Sequence, residues 1–309
     1  MNSEISVQRD LVRRFIFEHH PLRGHWVQLT DAWRELRAHS AYPEAVTALL
    51  GEAVVASVLL AATLKFRGTL TLQLQGNGAV SLLVAQCTHD FRLRAVARHD
   101  AAQLATLALE PPAAVFRALA GTEGRVTVTV EAEERSLRYQ GIVPLSGDSL
   151  AQSLEAYFAS SEQLPTRVAL AADGAHAAGM LVQKLPENTD PGSEALAAAW
   201  HSAAQGLGGL PAATLLTADV ETTLASAFPG YDLRLFRGSA VSFECRCNAA
   251  RVAGLLRALG PAEVRDVLRE QGTVTVTCEF CQRPYRFDEQ AVDALFAPSP
   301  PSADSAVIH

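Results

Sequence analysis

Four cysteines near the C-terminal end constrain the fold of this chain more than any other feature. They form a C-x-C pair and a C-x-x-C pair: Cys245 with Cys247, and Cys278 with Cys281. Two close pairs of thiolates can supply the four corners of a tetrahedral zinc site, with the chain between them folded around the ion. No histidine lies between His201 and His309. We therefore expect an all-cysteine site with four ligands.

Other interpretations of the same cysteines are weaker. A thioredoxin-like redox pair needs a strand that leads into a helix, yet Pro284 follows Cys281 closely and the flanking residues favour strands. A nucleic-acid-binding zinc ribbon would carry a basic face, whereas residues 241–296 contain seven Arg, no Lys and eight acidic residues. One alternative stays open: a zinc module that is permanently reduced and only stabilises the C-terminal region.

Composition bounds the class of protein and its surroundings. With 49% hydrophobic and 19% charged residues, the 309-residue chain can bury a large core. The net charge of -7 has the wrong sign for a protein that neutralises phosphates, so we expect no nucleic-acid partner. The longest weakly polar run, 53–64, is shorter than the roughly 20 residues that span a bilayer. We expect no membrane segment, no secretory signal and a cytoplasmic, reducing location.

Hydrophobic patterning predicts an α+β domain over residues 1–185. The apolar residues from Leu11 to Leu22 suggest an opening helix, and 29–36 a second one. Residues 45–64 are apolar on nearly every face, which predicts a buried central helix. Alternation from Gly68 to Cys87 around a Gly-Asn-Gly turn predicts a hairpin. A helix capped by Ser149 and five further strands complete the domain. The predicted strands are 91–97, 125–131, 137–143, 167–171 and 179–185.

The C-terminal part divides into three segments. Residues 186–240 are rich in alanine and glycine, which predicts a metastable helical linker. Such helices bury little apolar area and depend on packing against a neighbouring part of the chain. Residues 241–296 predict a small zinc domain with two short helices, a hairpin and a last helix capped by Asp288. Its apolar content is thin, so the metal must supply much of the folding free energy. The tail 297–309 is expected to be disordered.

Three other features suggest little chemistry. Cys87 ends a largely apolar strand and is expected to be a core cysteine. His19 and His20, with His25, suggest surface or packing roles rather than a metal site. The turn at 76–78 only superficially resembles a phosphate loop, because a strand follows it. We find no constellation for hydrolysis, phosphoryl transfer or nucleotide binding and expect no enzymatic activity.

Longer stretches of the chain resemble a known family. In the N-terminal half these are Ala48-Leu-Leu-Gly-Glu52, Leu60-Ala-Ala-Thr-Leu-Lys-Phe66, Leu72-Gln-Leu-Gln-Gly76, Tyr139-Gln-Gly141 and Ser161-Glu-Gln-Leu-Pro-Thr-Arg167. In the C-terminal half they are Cys245-Arg-Cys247, Thr277-Cys-Glu-Phe-Cys281 and Tyr285-Arg-Phe287. Their order and spacing resemble the redox-regulated thirty-three-kilodalton heat-shock chaperones of bacteria.

The resemblance implies an ATP-independent holdase with a substrate-binding domain, a metastable linker and a zinc domain. It implies that Cys245, Cys247, Cys278 and Cys281 bind one Zn²⁺ per chain when reduced. Oxidation then forms disulfides, expected to join Cys245 with Cys247 and Cys278 with Cys281, and zinc leaves. The linker unfolds, unfolding client proteins bind, and the oxidised form is expected to be a homodimer. The sequence departs from the family at Asn248-Ala-Ala-Arg251 and in its alanine-rich linker. A constitutive zinc-stapled binding protein is the alternative.

Overall fold

A computed structural model describes residues 10–107, 112–133, 138–186 and 194–297. The chain divides into two compact units, residues 1–244 and 245–309. We call them unit 1 and unit 2. The boundary falls four residues after the start of the predicted zinc domain. The expected disordered tail, apart from Ala297, lies outside the described residues.

Unit 1 is a mixed structure of strands and helices. Its strands are β1 Leu11–Phe17, β2 Leu22–Leu29, β3 Gly68–Gln75, β4 Val80–Thr88, β5 Arg92–His99, β6 Arg125–Ala132, β7 Arg138–Pro144, β8 Thr166–Ala172, β9 Ala177–Lys184, β10 Leu233–Leu235, β11 Ser239–Ala240 and β12 Ser242–Phe243. Its helices are α1 Asp31–Arg37, α2 Glu44–Thr63, α3 Ala101–Leu104, α4 Pro112–Ala120, α5 Leu150–Tyr157, α6 Glu194–Gly208, α7 Ala212–Thr217 and α8 Val220–Ala227. A π-helical turn, Phe158–Glu162, follows α5. The α+β prediction is confirmed.

The described strands of unit 1 form two sheets. The first sheet has the order β10-β1-β2-β9-β8, with β11 also on β1. The second has the order β12-β5-β4-β3-β6-β7. The predicted hairpin is present as β3 and β4, in register from Thr69 opposite Thr88 to Gln75 opposite Leu82. Ser149 accepts a hydrogen bond from Gln152 N and caps α5 as expected.

The predicted opening helix is wrong, because residues 11–29 form the antiparallel pair β1 and β2. Two consecutive arginines hide the alternation of β1, in which Phe15 and Phe17 are buried on one face of the sheet and Val12 on the other. β-Branched and aromatic side chains favour a half-buried sheet surface over a helix. Pairing of β2 with β9, about 155 residues later in the chain, then fixes the strand.

Helix α2 packs between the two sheets. Its side chains share one hydrophobic core with Val27 and Leu181 of the first sheet and Leu70 and Leu83 of the second. By length and composition alone, α2 could cross a membrane, but 78% of its apolar window is buried inside the protein. The long apolar run therefore serves as the central core helix of a sandwich.

Helices α6 to α8 fall within the segment predicted as a linker. They cover the outer face of the first sheet, where the Phe228 ring lies 5.8 Å from Phe15 and 5.1 Å from Phe17, measured between ring centroids. The Gln28 amide donates hydrogen bonds to the carbonyls of Leu216 and Ala218, at 2.9 and 3.1 Å. These contacts place the helices in unit 1.

The helical prediction for this segment fails at its end, where β10 and β11 pair antiparallel with β1. A strand of two or three residues carries no periodicity of its own. These strands form because the outer edge of β1 offers unpaired N–H and C=O groups that need partners. The start of the segment, 187–193, lies outside the described residues.

Unit 2 is small and contains α9 Ala249–Leu259, α10 Pro261–Gln271, β13 Val274–Thr277, β14 Pro284–Phe287 and α11 Glu289–Phe296. β13 and β14 form the expected hairpin, and Asp288 caps α11 through Ala291 N. Its cluster of fully buried apolar side chains consists of Leu256, Val264, Val274 and Val292. On α9, Leu255 and Leu259 are 62% and 55% exposed, so only part of the predicted apolar face is buried.

Candidate metal centre

The first cysteine pair lies in an extended segment that leads into α9. Asn248 follows Cys247 directly and caps the helix, because its side-chain oxygen accepts a hydrogen bond from Arg251 N at 2.8 Å. The Arg251 guanidinium returns a hydrogen bond to the carbonyl of Arg246, between the two cysteines. The residues that depart from the family pattern thus fix the loop that carries Cys245 and Cys247.

The second pair lies on the turn between β13 and β14. Cys278 N donates to the carbonyl of Arg283, and Gln282 N donates to the carbonyl of Cys278. Gln282 takes a left-handed conformation with φ of 52°, which lets the chain reverse within the six residues 278–283 between the strands. The turn presents both thiols on one side, as expected for a metal knuckle at a hairpin tip.

The structure brings the four predicted cysteines together. Their sulfur atoms all lie within 4.8 Å of one another. The sulfur atoms of Cys245 and Cys278 are 3.7 Å apart, and those of Cys247 and Cys281 are 3.3 Å apart. All four thiols are free.

These separations fit a zinc ion. Zn–S bonds of about 2.3 Å in a tetrahedron place neighbouring sulfurs roughly 3.8 Å apart. A disulfide would require about 2.05 Å. The four sulfurs therefore form a tetrad that could hold a metal ion, with no histidine or carboxylate in the group.

The thiols of the tetrad differ in acidity. Burial raises the pKa of Cys245, and it raises the pKa of Cys281 to about 12. Burial would also raise the pKa of Cys247, but hydrogen bonds from Tyr285 and from the neighbouring cysteines outweigh it and lower the pKa to about 7. The thiolate of Cys247 is thus stabilised, in contrast to those of Cys245 and Cys281.

Tyr285 is a site residue that the sequence patterns did not assign. Its hydroxyl on β14 donates a hydrogen bond to Cys247 Sγ at 3.1 Å. In the sequence it stood only in the predicted return strand and in the family stretch Tyr285-Arg-Phe287, with no role assigned. The contact depends on a separation of 38 residues along the chain, which no local pattern reveals.

The other sequence features lie away from any such cluster. Cys87 on β4 is fully buried, and burial raises its pKa well above the ordinary range. His19 is exposed and His25 is buried, so the histidines do not form a common site. The turn at 76–78 joins β3 and β4. Within the described residues, the metal-capable group is the cysteine tetrad.

Comparison with known proteins identifies the family. The family model described as Hsp33 protein matches residues 10–288, which cover most of both units and all four clustered cysteines. This chain belongs to the Hsp33 family. The resemblance drawn from the short stretches is therefore confirmed.

Relatives of known name cover nearly the whole chain. The 33 kDa chaperonin of Chromobacterium violaceum is 42% identical over 289 residues, 93% of this chain and 94% of that protein. The 33 kDa chaperonin of Azotobacter vinelandii is 40% identical over 301 residues, 97% of this chain and 99% of that protein. The crystal structure of the 33 kDa chaperonin of Thermotoga maritima matches with a TM-score of 0.78 at 23% identity, over 93% of this chain and 98% of that one. That last likeness supports the Hsp33 fold.

Proposed function

We propose that this Hsp33 protein is a redox-regulated, ATP-independent holdase, inactive when reduced and active after oxidation of its cysteine tetrad. The observation that carries the proposal is the sulfur tetrad, with separations that fit one tetrahedral ion. Relatives named 33 kDa chaperonin support the chaperone role. The proposal assigns no enzymatic activity to the chain.

Four thiolates hold one Zn²⁺ per chain in the reduced form under this proposal. They are Cys245, Cys247, Cys278 and Cys281. A bound zinc ion supplies thiolate stabilisation and folding free energy to a small domain. The Tyr285 hydroxyl orients the Cys247 sulfur, as outer-shell partners do at metal sites.

Oxidation removes the ligands. Two molecules of peroxide convert the four thiols to two disulfides and are reduced to water, so each disulfide accounts for two electrons. We propose the pairs Cys245 with Cys247 and Cys278 with Cys281. All four sulfurs are close in the reduced form, so proximity alone does not select the pairs. Peptide mapping that finds mainly Cys245 with Cys278, or Cys247 with Cys281, would contradict this pairing.

Segment 186–240 then acts as the metastable linker of the proposal. Its helices cover an apolar face of the first sheet: Phe15, Phe17, Trp26, Met180 and Val182 share one cluster with Leu196, Leu207 and Phe228 of this segment. Release of these helices would expose that face to water. An exposed apolar surface of this kind binds unfolding chains by non-directional burial and needs no shaped pocket.

The partners under this proposal are unfolding client proteins. We propose a homodimer in the oxidised form, a cytoplasmic location, and no nucleic-acid or membrane partner. The excess of acidic over basic residues, 33 to 26, disfavours binding to phosphate backbones. Burial of α2 in the core of unit 1 disfavours a membrane role for that helix.

An aggregation assay tests the proposal. Reduced, zinc-loaded protein and peroxide-treated, warmed protein are compared for suppression of aggregation of a model client. In the parent we expect suppression only after oxidation. A Cys245→Ser, Cys278→Ser double variant lacks two of the four zinc ligands and should suppress aggregation without oxidation. A Cys87→Ala variant is the matched control, because Cys87 lies in unit 1. Equal suppression by reduced and oxidised protein would instead favour the alternative, a constitutive zinc-stapled binding protein.

A further inference from the structure

A cavity in unit 1 has no part in the redox proposal. Its volume is about 380 Å³, and it lies between the first half of α2 and α4. Both helices contribute its apolar walls: Ala45, Ala48, Leu49, Val115, Phe116 and Leu119. Two carboxyl groups of α2, from Glu44 and Glu52, complete the lining. The cavity is therefore an apolar slot with acidic groups along one wall.

Glu52 is an ionisable residue on a helix whose other side chains are mostly apolar and buried. The side chains of α2 around it, such as Val54 and Val55, are fully buried, and a charge in such surroundings is costly unless it is paired. Glu52 keeps a part-exposed surface toward the cavity, yet burial raises the pKa of its carboxyl to about 8. Burial is the sole cause of that shift, so no cation or hydrogen-bond donor in the described chain stabilises the ionised form.

We propose that this cavity binds a linear aliphatic polyamine, with one ammonium group on Glu52 and another on Glu44. The two glutamates are eight residues apart, which separates their attachment points by about 12 Å along the helix axis. Three apolar side chains of α2, Ala45, Ala48 and Leu49, also line the cavity. A polyamine matches this pattern because its charges are separated by methylene groups that the apolar walls would cover.

Other cations match the cavity less well. A divalent metal ion takes six or more oxygen ligands or retained waters, and two carboxyls anchored about 12 Å apart cannot share one ion. A single ammonium, such as a lysine side chain of another protein, would engage Glu52 but leave Glu44 without a partner. The class of ligand is thus a chain with at least two cationic ends.

Titration calorimetry on the reduced, zinc-loaded full chain tests the proposal with spermidine as the probe. We expect one spermidine per chain, weaker binding of butane-1,4-diamine, and the weakest binding of butylamine. Glu52→Gln should weaken spermidine binding roughly thirtyfold or more, because it removes the enclosed partner of the ion pair. Glu44→Gln, at the exposed end, should weaken it by less than about fivefold.

Proton release gives a second measurement. Besides Glu52, the titratable group that lines the cavity is Glu44 on the same helix, and α4 contributes apolar side chains there. Since the Glu52 carboxyl is mostly protonated at pH 7, an arriving ammonium should displace close to one proton. Calorimetry in two buffers of different ionisation enthalpy measures this number. We expect no such release with Glu52→Gln.

Two further variants keep the test decisive. Ala48→Leu fills the cavity but leaves both carboxyls, and should abolish binding. Glu35→Gln changes an exposed glutamate of α1 in the same unit and should change nothing. The proposal is overturned if Glu52→Gln binds spermidine as tightly as the parent, if butylamine binds equally well, or if Mg²⁺ displaces spermidine as a screening ion would. Reduced protein without a client is used, so the outcome is independent of the redox proposal.

Discussion

Unit 1 and unit 2 are each stabilised by a different kind of interaction. Unit 1 buries a 20-residue helix between two sheets and covers a second apolar cluster with α6 to α8. Unit 2 has a small apolar cluster with Leu256, Val264, Val274 and Val292 as its buried members, and it places four thiols together. An apolar core yields to heat or denaturant, whereas a thiolate cluster also yields to a chelator or an oxidant. Under the proposed function, the chemical switch lies in unit 2, and oxidation acts on unit 1 only indirectly.

Removal of the metal should produce the largest difference in stability between the two units. Structural zinc contributes on the order of 10 kcal/mol to a small domain, so we expect a chelator to unfold unit 2 in reduced protein. Hydrogen exchange should then accelerate in β13, while β3 and β4 stay protected. Under the proposed mechanism, α6 should also lose protection. A chelator saturated with zinc is the control. Continued protection of β13 after zinc removal would show that its small core suffices.

Acid should act on unit 1 through His25. This side chain is 5% exposed, and its Nδ1 has no hydrogen-bond partner in the described part of the chain. Burial, with the nearby charges of Arg23 and Arg14, lowers its pKa to about 4 from 6.5. Between those pH values the unfolded chain binds a proton that the folded chain does not. Unit 1 should therefore lose up to about 3 kcal/mol as the pH falls through this window.

Urea unfolding at pH 7 and pH 4.5 measures this loss. His25→Phe should reduce the difference between the two pH values, and His19→Asn, a matched change at an exposed histidine, should leave it unchanged. Unit 2 has no histidine in its described residues, so its unfolding should lack this contribution. An unaltered pH dependence in His25→Phe would mean that other groups carry the acid sensitivity of unit 1.

Local sequence patterns predicted the elements of the fold that are determined by their own residues. Alternation in 68–88 and continuous apolarity in 45–64 suffice for a hairpin and a core helix. The same holds for the four cysteines, since short spacing brings each pair together whatever surrounds it. Local patterns failed for β1, whose pairing with β2 and β10 decides its state. Tyr285 and Glu52 were missed as well, because a hydrogen bond to Cys247 and a cavity against α4 exist only in the folded chain.

The Tyr285 hydroxyl should contribute to the zinc affinity of unit 2. Loss of an outer-shell hydrogen bond to a metal ligand costs about tenfold or more in metal affinity. Tyr285→Phe removes the hydroxyl that donates to Cys247 Sγ and keeps the ring. We expect zinc affinity, measured by competition with a colorimetric chelator, to fall by about tenfold. Tyr139→Phe removes an exposed hydroxyl from unit 1 and should leave zinc affinity unchanged. Equal affinities in both variants would reduce Tyr285 to a packing role.

The smallest expected effect comes from one matched helix cap in each unit. Ser149 caps α5 in unit 1, and Asn248 caps α9 in unit 2, each through one backbone N–H. Replacement of either residue by alanine should cost about 1 kcal/mol, but the cost should appear in different measurements. Ser149→Ala should lower the urea midpoint of unit 1 and leave zinc binding alone. Asn248→Ala should weaken zinc binding, because this cap follows Cys247 directly and folding of unit 2 is linked to the metal. If Asn248→Ala left zinc affinity unchanged while α9 frayed, the helix and the metal centre would fold independently, and the contrast between the two units would be smaller than the structure indicates.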